Sequence, residues 1–335
     1  MTPVVYVGIP TRNRPEFVRD AILSVLAQTY THLRVLVTDN DSDPAHASNV
    51  REFIAGLADT RISYVCNPVA DGERGQTLYN FSRCEEPYFM LVHDDDRLRP
   101  SLVERAVEAL EADTTLTFFA TSQDLIDEQG KLLPEESARY NQWLGRHHLA
   151  EGRVADVLET VLHGGAFSMS GTVFRRSTMA SLGFVDPDGG GFPIDMITYL
   201  RIGEAEQHGY FIHEPLAEYR WHAGQSRVKH ENWTFNEWMI EKYVAQLEAR
   251  RYRGRAEQRR RTLLSMGLCR YGIVRYVAND TGTARSLFRR AVFISPSTWQ
   301  SWAYCAIGHL LPFVIARRWS ARVTLKPGAT NGVAP

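Results

Sequence analysis

The stretch VVYVGIPTRNRPEFVRDAILSVLAQTYTHLRVLVTDNDSD, residues 4–43, switches periodicity twice. Residues 4–9 form a β-branched run closed by Pro10 and read as a buried strand. Pro15 opens a helix, where its missing N–H costs nothing. Val18, Ile22, Val25 and Leu26 recur at helical spacing and give that helix a core face. Residues 34–38 are again strand-like, and Asp39-Asn40-Asp41-Ser42-Asp43 follows as a polar turn.

Outward from this unit the alternation continues. Residues 48–57 read as a helix, 61–65 as a strand, 76–83 as a helix and 88–92 as a strand. Residues 100–110 read as a helix and 116–120 as a strand. Such alternation with short links predicts an α/β fold with a doubly wound, mostly parallel sheet. Ligands bind off the carboxyl ends of strands in such sheets. Chemistry is therefore expected in loops 10–14, 39–43, 67–75 and 93–97. Residues 130–170 are less regular. A strand at 172–174, helices at 177–182 and 195–207 and a strand at 210–213 follow, and beyond Trp233 the pattern turns helical and Arg-rich.

The chain has 335 residues, 44 % apolar and 23 % charged, which excludes disordered and collagen-like classes and allows two domains. Residues 241–335 carry 17 Lys+Arg against 4 Asp+Glu, a net of +13, so the rest carries −14. Cys66, Cys84, Cys269 and Cys305 form no Cys-x-x-Cys pair, which argues against structural zinc and fits a reducing compartment. The N-terminal run has no basic and apolar leader pattern, so a cytoplasmic protein is expected. Residues 291–316 lack Asp, Glu, Lys and Arg but are diluted by serines and interrupted by Pro312. They read as a helix in a membrane interface or as one packed on the protein itself.

His93-Asp94-Asp95-Asp96 follows directly on a strand. Three adjacent carboxylates repel one another unless a cation is present, and helix capping needs only one. A hard divalent ion, Mn²⁺ or Mg²⁺, fits. No Gly-x-Gly-x-x-Gly follows the first strand, which sets a dinucleotide-dependent oxidoreductase aside, and no P-loop is present. Arg-rich residues 250–261 read as a solvated helix face or a contact for anionic lipid, and no nucleic-acid partner is expected.

The order strand, Pro10-Thr11-Arg12-Asn13-Arg14-Pro15, Ser24-Val25-Leu26-Ala27-Gln28-Thr29-Tyr30, Val37-Thr38-Asp39-Asn40-Asp41-Ser42, then Asp94-Asp95-Asp96 resembles a family-2 glycosyltransferase of GT-A fold over about residues 3–225. The resemblance implies inverting transfer of a sugar from a nucleoside diphosphate to an acceptor hydroxyl. It implies a GT-A domain over 1–230, with a nucleotide-sugar half to about 125 and an acceptor half from 126. A basic, mostly helical extension covers 231–335.

The resemblance places Pro10, Thr11 and Arg12 at the nucleoside. Asn40 falls where the family commonly has an Asp against the base, and an amide leaves UDP- and dTDP-sugars both open. Arg74 lies in the loop of a basic nucleotide contact. Asp94 is assigned to the ribose or a metal-bound water, and Asp95, Asp96 and His222 to the metal. His93 replaces the usual first acid. Tyr219-Arg220-Trp221-His222 matches a segment in which Arg and His face the diphosphate. Asp195, opening a hydrophobic helix with Arg201, is implied as the general base, with Asp186 and Asp188 as alternatives. Loop 186–191 or loop 222–229 is expected to close over the donor. The acceptor is expected to be a lipid-linked or cell-envelope glycan, and residues 241–335 to touch an anionic membrane surface. That places the protein peripherally at the inner face of the cell membrane. The competing expectation is a non-catalytic nucleotide- or glycan-binding module of the same fold.

Overall fold

The computed structural model describes residues 2–67, 72–164, 167–184, 194–222 and 233–299, with 302, 303 and 306. They fall into two compact units, Met1–His222 and Ala223–Pro335.

The first unit begins with β1 (Val5–Thr11), α1 (Pro15–Leu26), β2 (Leu33–Asp39), α2 (Pro44–Leu57), β3 (Ile62–Cys66) and α3 (Gly72–Ser82). It continues with β4 (Tyr88–Leu91), β5 (Arg97–Leu98), α4 (Leu102–Ala112), β6 (Leu116–Ile126) and α5 (Pro134–Trp143). Then come β7 (Gly152–Val154), α6 (Val157–Gly164), β8 (Thr172–Arg175), α7 (Arg176–Ser181), α8 (Ile194–Glu204) and β9 (His208–Arg220). Among the described residues these strands form one nine-stranded sheet in the order β3-β2-β1-β4-β8-β6-β9-β5, with β7 on β9. β1, β2, β3 and β4 run parallel, as do β6 and β9, while β8 lies antiparallel between β4 and β6.

The parallel half is held by its core. Val5, Val7, Ile9, Val35, Val37, Tyr88 and Met90 are buried against Val18, Ala21, Ile22 and Val25 of α1 and Leu102, Val103, Ala106 and Leu110 of α4. Full burial stabilises each aliphatic side chain by about 1.5–3 kcal/mol. Gly8 leaves room for the buried Asn80 side chain of α3, whose Oδ1 would lie 2.4 Å from any Cβ at position 8. Asn80 Nδ2 donates to Thr38 Oγ1 at 2.8 Å, so one buried amide ties α3 to the sheet.

Three elements run longer than their periodicity predicts. α2 starts at Pro44, whose fixed φ suits a first helical position. β6 and β9 continue past Ala120 and His213 because their polar residues find partners inside the fold. Gln123 Nε2 donates to Ser170 O at 2.9 Å, and Arg97 Nε to Glu218 Oε2 at 2.9 Å. Pro215 sits opposite Ser122 at a register shift, where its missing N–H is tolerated.

The second unit contains α9 (Trp233–Glu248), α10 (Gly254–Val277) and α11 (Thr281–Ile294). Val244, Leu247, Leu264, Leu268, Cys269, Leu287 and Ala291 form its core. Arg260 is buried there, with its Nε on Glu257 Oε2 at 2.8 Å and its Nη1 on Leu247 O at 2.7 Å. The hydrogen bond from Arg260 holds the Glu257 carboxyl down at about 2, against an ordinary value of 4.5. A depressed carboxyl stabilises the fold fully above the ordinary value and loses that contribution as pH falls towards about 2. The helical unit should therefore weaken between about pH 4.5 and pH 2. Glu257→Gln should flatten that loss, read as helical signal against pH; an unchanged acid profile would contradict it. Of the expected helix over 291–316, most residues lie outside those described; α11 itself ends at Ile294.

Candidate functional site

The sheet register builds the site. Gly8 of β1 pairs with Leu91 of β4, and the N–H of Val92 bonds to Gly8 O at 3.0 Å. Thr11 and Asp94, each three residues further on, then meet: Thr11 Oγ1 donates to Asp94 Oδ2 at 2.9 Å. On the other side β5 pairs with β9, Arg97 opposite Glu218. That pairing sets Arg220 beside the acids, its N–H donating to Asp96 Oδ1 at 3.2 Å and its Nε to Asp95 O at 2.9 Å.

The segment Ser24–Tyr30 braces this loop from behind. Ser24 Oγ accepts the N–H of Leu98 at 3.1 Å. Gln28 Nε2 donates to Arg99 O at 2.9 Å, its Oε1 accepts the N–H of Val103 at 3.0 Å, and Thr29 N–H donates to Pro100 O at 2.8 Å. The motif is thus a clamp from α1 onto the chain leaving the acidic loop.

Asp94, Asp95 and Asp96 are all buried. Arg14 Nη1 donates to Asp94 Oδ1 at 3.0 Å and to Asp95 Oδ2 at 2.9 Å. His222 Nε2 lies 3.0 Å from the same Asp95 Oδ2, and its ring packs 4.6 Å from that of Phe17. Burial pushes the Asp94 carboxyl up to about 6, with the Asp95 charge adding to it against Arg14 and Thr11. Burial also acts on Asp95, but the His222 hydrogen bond and the His93 and Arg14 charges outweigh it and hold that carboxyl low. Burial and the Asp95 charge raise Asp96. Burial thus leaves Asp94 and Asp96 short of charge stabilisation, even with Arg14 on Asp94 and His93 near Asp96.

That deficit is the test of fit for a divalent ion. Ligand atoms of His93, Asp95 and Asp96 lie within 4.8 Å of one another. Asp96 Oδ2 is buried with no hydrogen-bond partner among the described residues, and His93 Nδ1 is 3.6 Å away. His93 is positioned by its N–H, which donates to Ser170 Oγ at 3.0 Å. A hard cation suits this donor set. Of the expected ligands, Asp95 and Asp96 converge with His93, and His222 reaches the cluster through Asp95 Oδ2, 3.0 Å from its Nε2.

The other expected residues are placed as follows. Pro10 and Thr11 end β1, and Arg12 is exposed beyond them. Asn40, half-buried, directly follows β2 with its N–H on Thr11 O at 2.9 Å. Ser42 Oγ accepts the N–H of Asn13 at 2.9 Å, joining the loops after β1 and β2. Arg74 is half-buried in the first turn of α3. Arg220 does not face outward. Its buried guanidinium is committed to Asp20 Oδ2 at 2.8 Å and to the carbonyls of Asp127 and Glu128 at 3.3 and 3.1 Å.

Asp195 lies, half-buried, in the first turn of α8. One turn on, Tyr199 Oη donates to Thr172 Oγ1 at 2.9 Å and lies 3.1 Å from Ser168 O. Ser170, which holds His93, lies between those anchors, so α8 and the acidic loop share one support. The buried Arg146 guanidinium, bonded to Gln123 Oε1 and Ser168 Oγ at 3.1 Å each, sits in the field of Asp195. Asp186, Asp188 and loop 186–191 lie outside the described residues, as does loop 222–229 beyond His222.

The family model described as glycosyl transferase family 2 matches residues 6–176, which contain this acidic loop, its α1 clamp and the β1 and β2 loops. The chain belongs to glycosyl transferase family 2. An uncharacterized glycosyltransferase of Rickettsia bellii is 31 % identical over 133 residues, 39 % of this chain and 19 % of that protein. The putative colanic acid biosynthesis glycosyl transferase WcaA of Escherichia coli is 26 % identical over 99 residues, 30 % of this chain and 35 % of its own. The match thus spans about a fifth of the Rickettsia protein and about a third of WcaA. S. aureus TarS 1–349 in complex with UDP-GlcNAc superposes with a TM-score of 0.61 at 11 % identity, over 96 % of this chain and 92 % of that one. Mannosyltransferase PcManGT from Pyrobaculum calidifontis, in complex with GDP-Man and Mn2+, gives 0.56 at 15 % identity, over 96 % and 87 %. These likenesses establish the GT-A-like α/β fold with its helical C-terminal part.

In the second unit Arg251, Arg260, Arg261 and Arg290 line a hollow of about 400 Å³ with Glu248, Leu264, Phe293 and Ile294. Phe293 at its rim is 78 % exposed, and Trp299 and Trp302 further along are 66 % and 55 % exposed. Among the described residues no helix is long and apolar enough to cross a membrane.

Proposed function

We propose that this protein is an inverting glycosyltransferase that moves a sugar from a UDP- or dTDP-sugar to a hydroxyl of a lipid-linked or cell-envelope glycan. The observation that carries the reading is the buried Asp94–Asp96 loop at the end of β4, in register with Thr11 at the end of β1. His93, Asp95 and Asp96 would hold Mn²⁺ or Mg²⁺, with His222 fixing the orientation of Asp95. The bound ion supplies charge neutralisation for the departing diphosphate. Pro10, Thr11, Arg12, Asn40, Arg74 and Asp94 bind the nucleotide on the β1, β2 and α3 side. Asp195 takes the proton of the acceptor hydroxyl as the oxygen attacks the anomeric carbon. A single displacement from the face opposite the diphosphate inverts that carbon.

The domain reading follows the same lines, with a glycosyltransferase domain over 1–230 and a basic extension over 231–335. The extension meets an anionic membrane surface through its arginines and exposed aromatic residues, which would place the protein at the inner face of the cell membrane. Phe293→Ser should weaken binding to phosphatidylglycerol vesicles roughly tenfold, the scale of one lost aromatic side chain, without altering nucleotide binding. Equal vesicle binding by both proteins would remove the membrane reading.

The reading as a whole is tested by release of UDP or dTDP from a panel of nucleotide sugars, with and without membrane glycan fractions. Acceptor-stimulated release supports transfer. Tight nucleotide binding without release under any condition would favour the non-catalytic module instead.

A further inference from the structure

We propose that Arg14 makes the two ligands of this site depend on each other: its guanidinium holds Asp94 and Asp95 in the free protein and transfers to the diphosphate when a divalent ion takes Asp95 and the nucleotide takes Asp94. The inference rests on the metal–nucleotide reading above.

The geometry that points to it is one nitrogen in two bonds. Arg14 Nη1 is 3.0 Å from Asp94 Oδ1 and 2.9 Å from Asp95 Oδ2, so it bridges the two acids as a small cation would. Asp95 Oδ2 also meets His222 Nε2 at 3.0 Å and is thus already shared. A divalent ion arriving alone must compete with a charge-assisted contact in a buried place, where such bonds are strong. It gains the Asp95 carboxylate but strands a guanidinium. An ion arriving with a nucleoside diphosphate brings phosphate oxygens, which suit the planar donor fork of arginine. Among the described residues two arginines touch the cluster, and Arg14 is the one built to move. Its side chain is 22 % exposed, whereas that of Arg220 is 1 % exposed and tied to Asp20. The Arg14 backbone stays fixed meanwhile, because its carbonyl accepts the N–H of Val18 at 3.1 Å in the first turn of α1.

Coupling of this kind is reciprocal: the nucleotide tightens the ion by the factor by which the ion tightens the nucleotide. The test is titration of the full chain with Mn²⁺, followed by the paramagnetic signal of free Mn²⁺, alone and with UDP, dTDP or GDP. Wild-type protein, Arg14→Gln and Arg14→Lys are compared, with melting temperatures checking the fold. In the wild type, the nucleotide should tighten Mn²⁺ binding roughly tenfold or more. Arg14→Gln without nucleotide should bind Mn²⁺ roughly tenfold tighter than the wild type, with the nucleotide effect correspondingly reduced. Arg14→Lys, a point charge without the fork, should fall between the two. Folded Arg14→Gln that binds Mn²⁺ no tighter than the wild type overturns the proposal. Should that variant not fold, Arg14→Lys with wild-type Mn²⁺ affinity overturns it equally. Absence of Mn²⁺ binding by the wild type with every nucleotide would instead bring down the underlying metal reading, a result distinct from either.

Discussion

Asp195→Asn should lower kcat by about 10²–10⁴-fold, the range expected for loss of a general base. The substitution keeps size and hydrogen-bonding reach but removes the group that accepts the proton. Asp195 lies in α8, which is anchored through Tyr199 to Ser168 and Thr172. Those bonds do not involve the carboxylate, so the helix should keep its place. Nucleotide affinity should be unchanged, because the proposed nucleotide contacts lie in the β1, β2 and β4 loops and in α3. Retained turnover in the variant would move the base role elsewhere, to Asp186 or Asp188 in the first instance. A fall in both turnover and nucleotide affinity would mean that Asp195 supports the site rather than acting as its base.

Asp95→Asn should weaken Mn²⁺-dependent nucleotide binding by about a hundredfold or more, since even outer partners of a metal site are worth 10–100-fold. Asp95 is the acid kept ionised, and it is shared by Arg14 and His222. Its removal leaves both groups beside a neutral amide, and breaking a buried pair costs about 3–5 kcal/mol. Relief of repulsion with Asp94 and Asp96 offsets part of that loss. Asp96→Asn separates the effects. It keeps the Arg14 and His222 contacts while neutralising a carboxylate whose Oδ2 lacks a hydrogen-bond partner among the described residues. That variant should also lose metal-dependent binding, with a smaller change in melting temperature. Undiminished metal dependence in both variants would place the ion elsewhere.

Much of the parallel half was legible because each element has one period. Val18, Ile22 and Val25 mark one face of α1, and the strands beside it are buried on both faces. The acidic loop was legible from charge alone. Helices α5 and α6 were not, because α5 docks on β6 through the polar Ser137 and Asn141 rather than an apolar face, and α6 is short. The ends of β6 and β9 were hidden by Gln123, Asp124 and Glu218, whose partners are far away in sequence.

Within the site, the sequence pointed to the acids but not to the balance among them. The loop motif gives Arg14 no role, since nothing local tells that it reaches residues 94 and 95. In the sequence His93 reads only as a replacement for an acid; its convergence with Asp95 and Asp96 depends on Ser170 holding its backbone. Arg220 shows the reverse case. Its neighbours in the chain resembled a diphosphate-binding segment, yet its guanidinium is buried on Asp20 and two carbonyls.

The most direct measurement is calorimetric titration of the full chain with UDP, dTDP and GDP, with and without Mn²⁺. The account predicts binding of a uridine or thymidine diphosphate that strengthens with Mn²⁺. No binding of any nucleoside diphosphate by well-folded protein would contradict it.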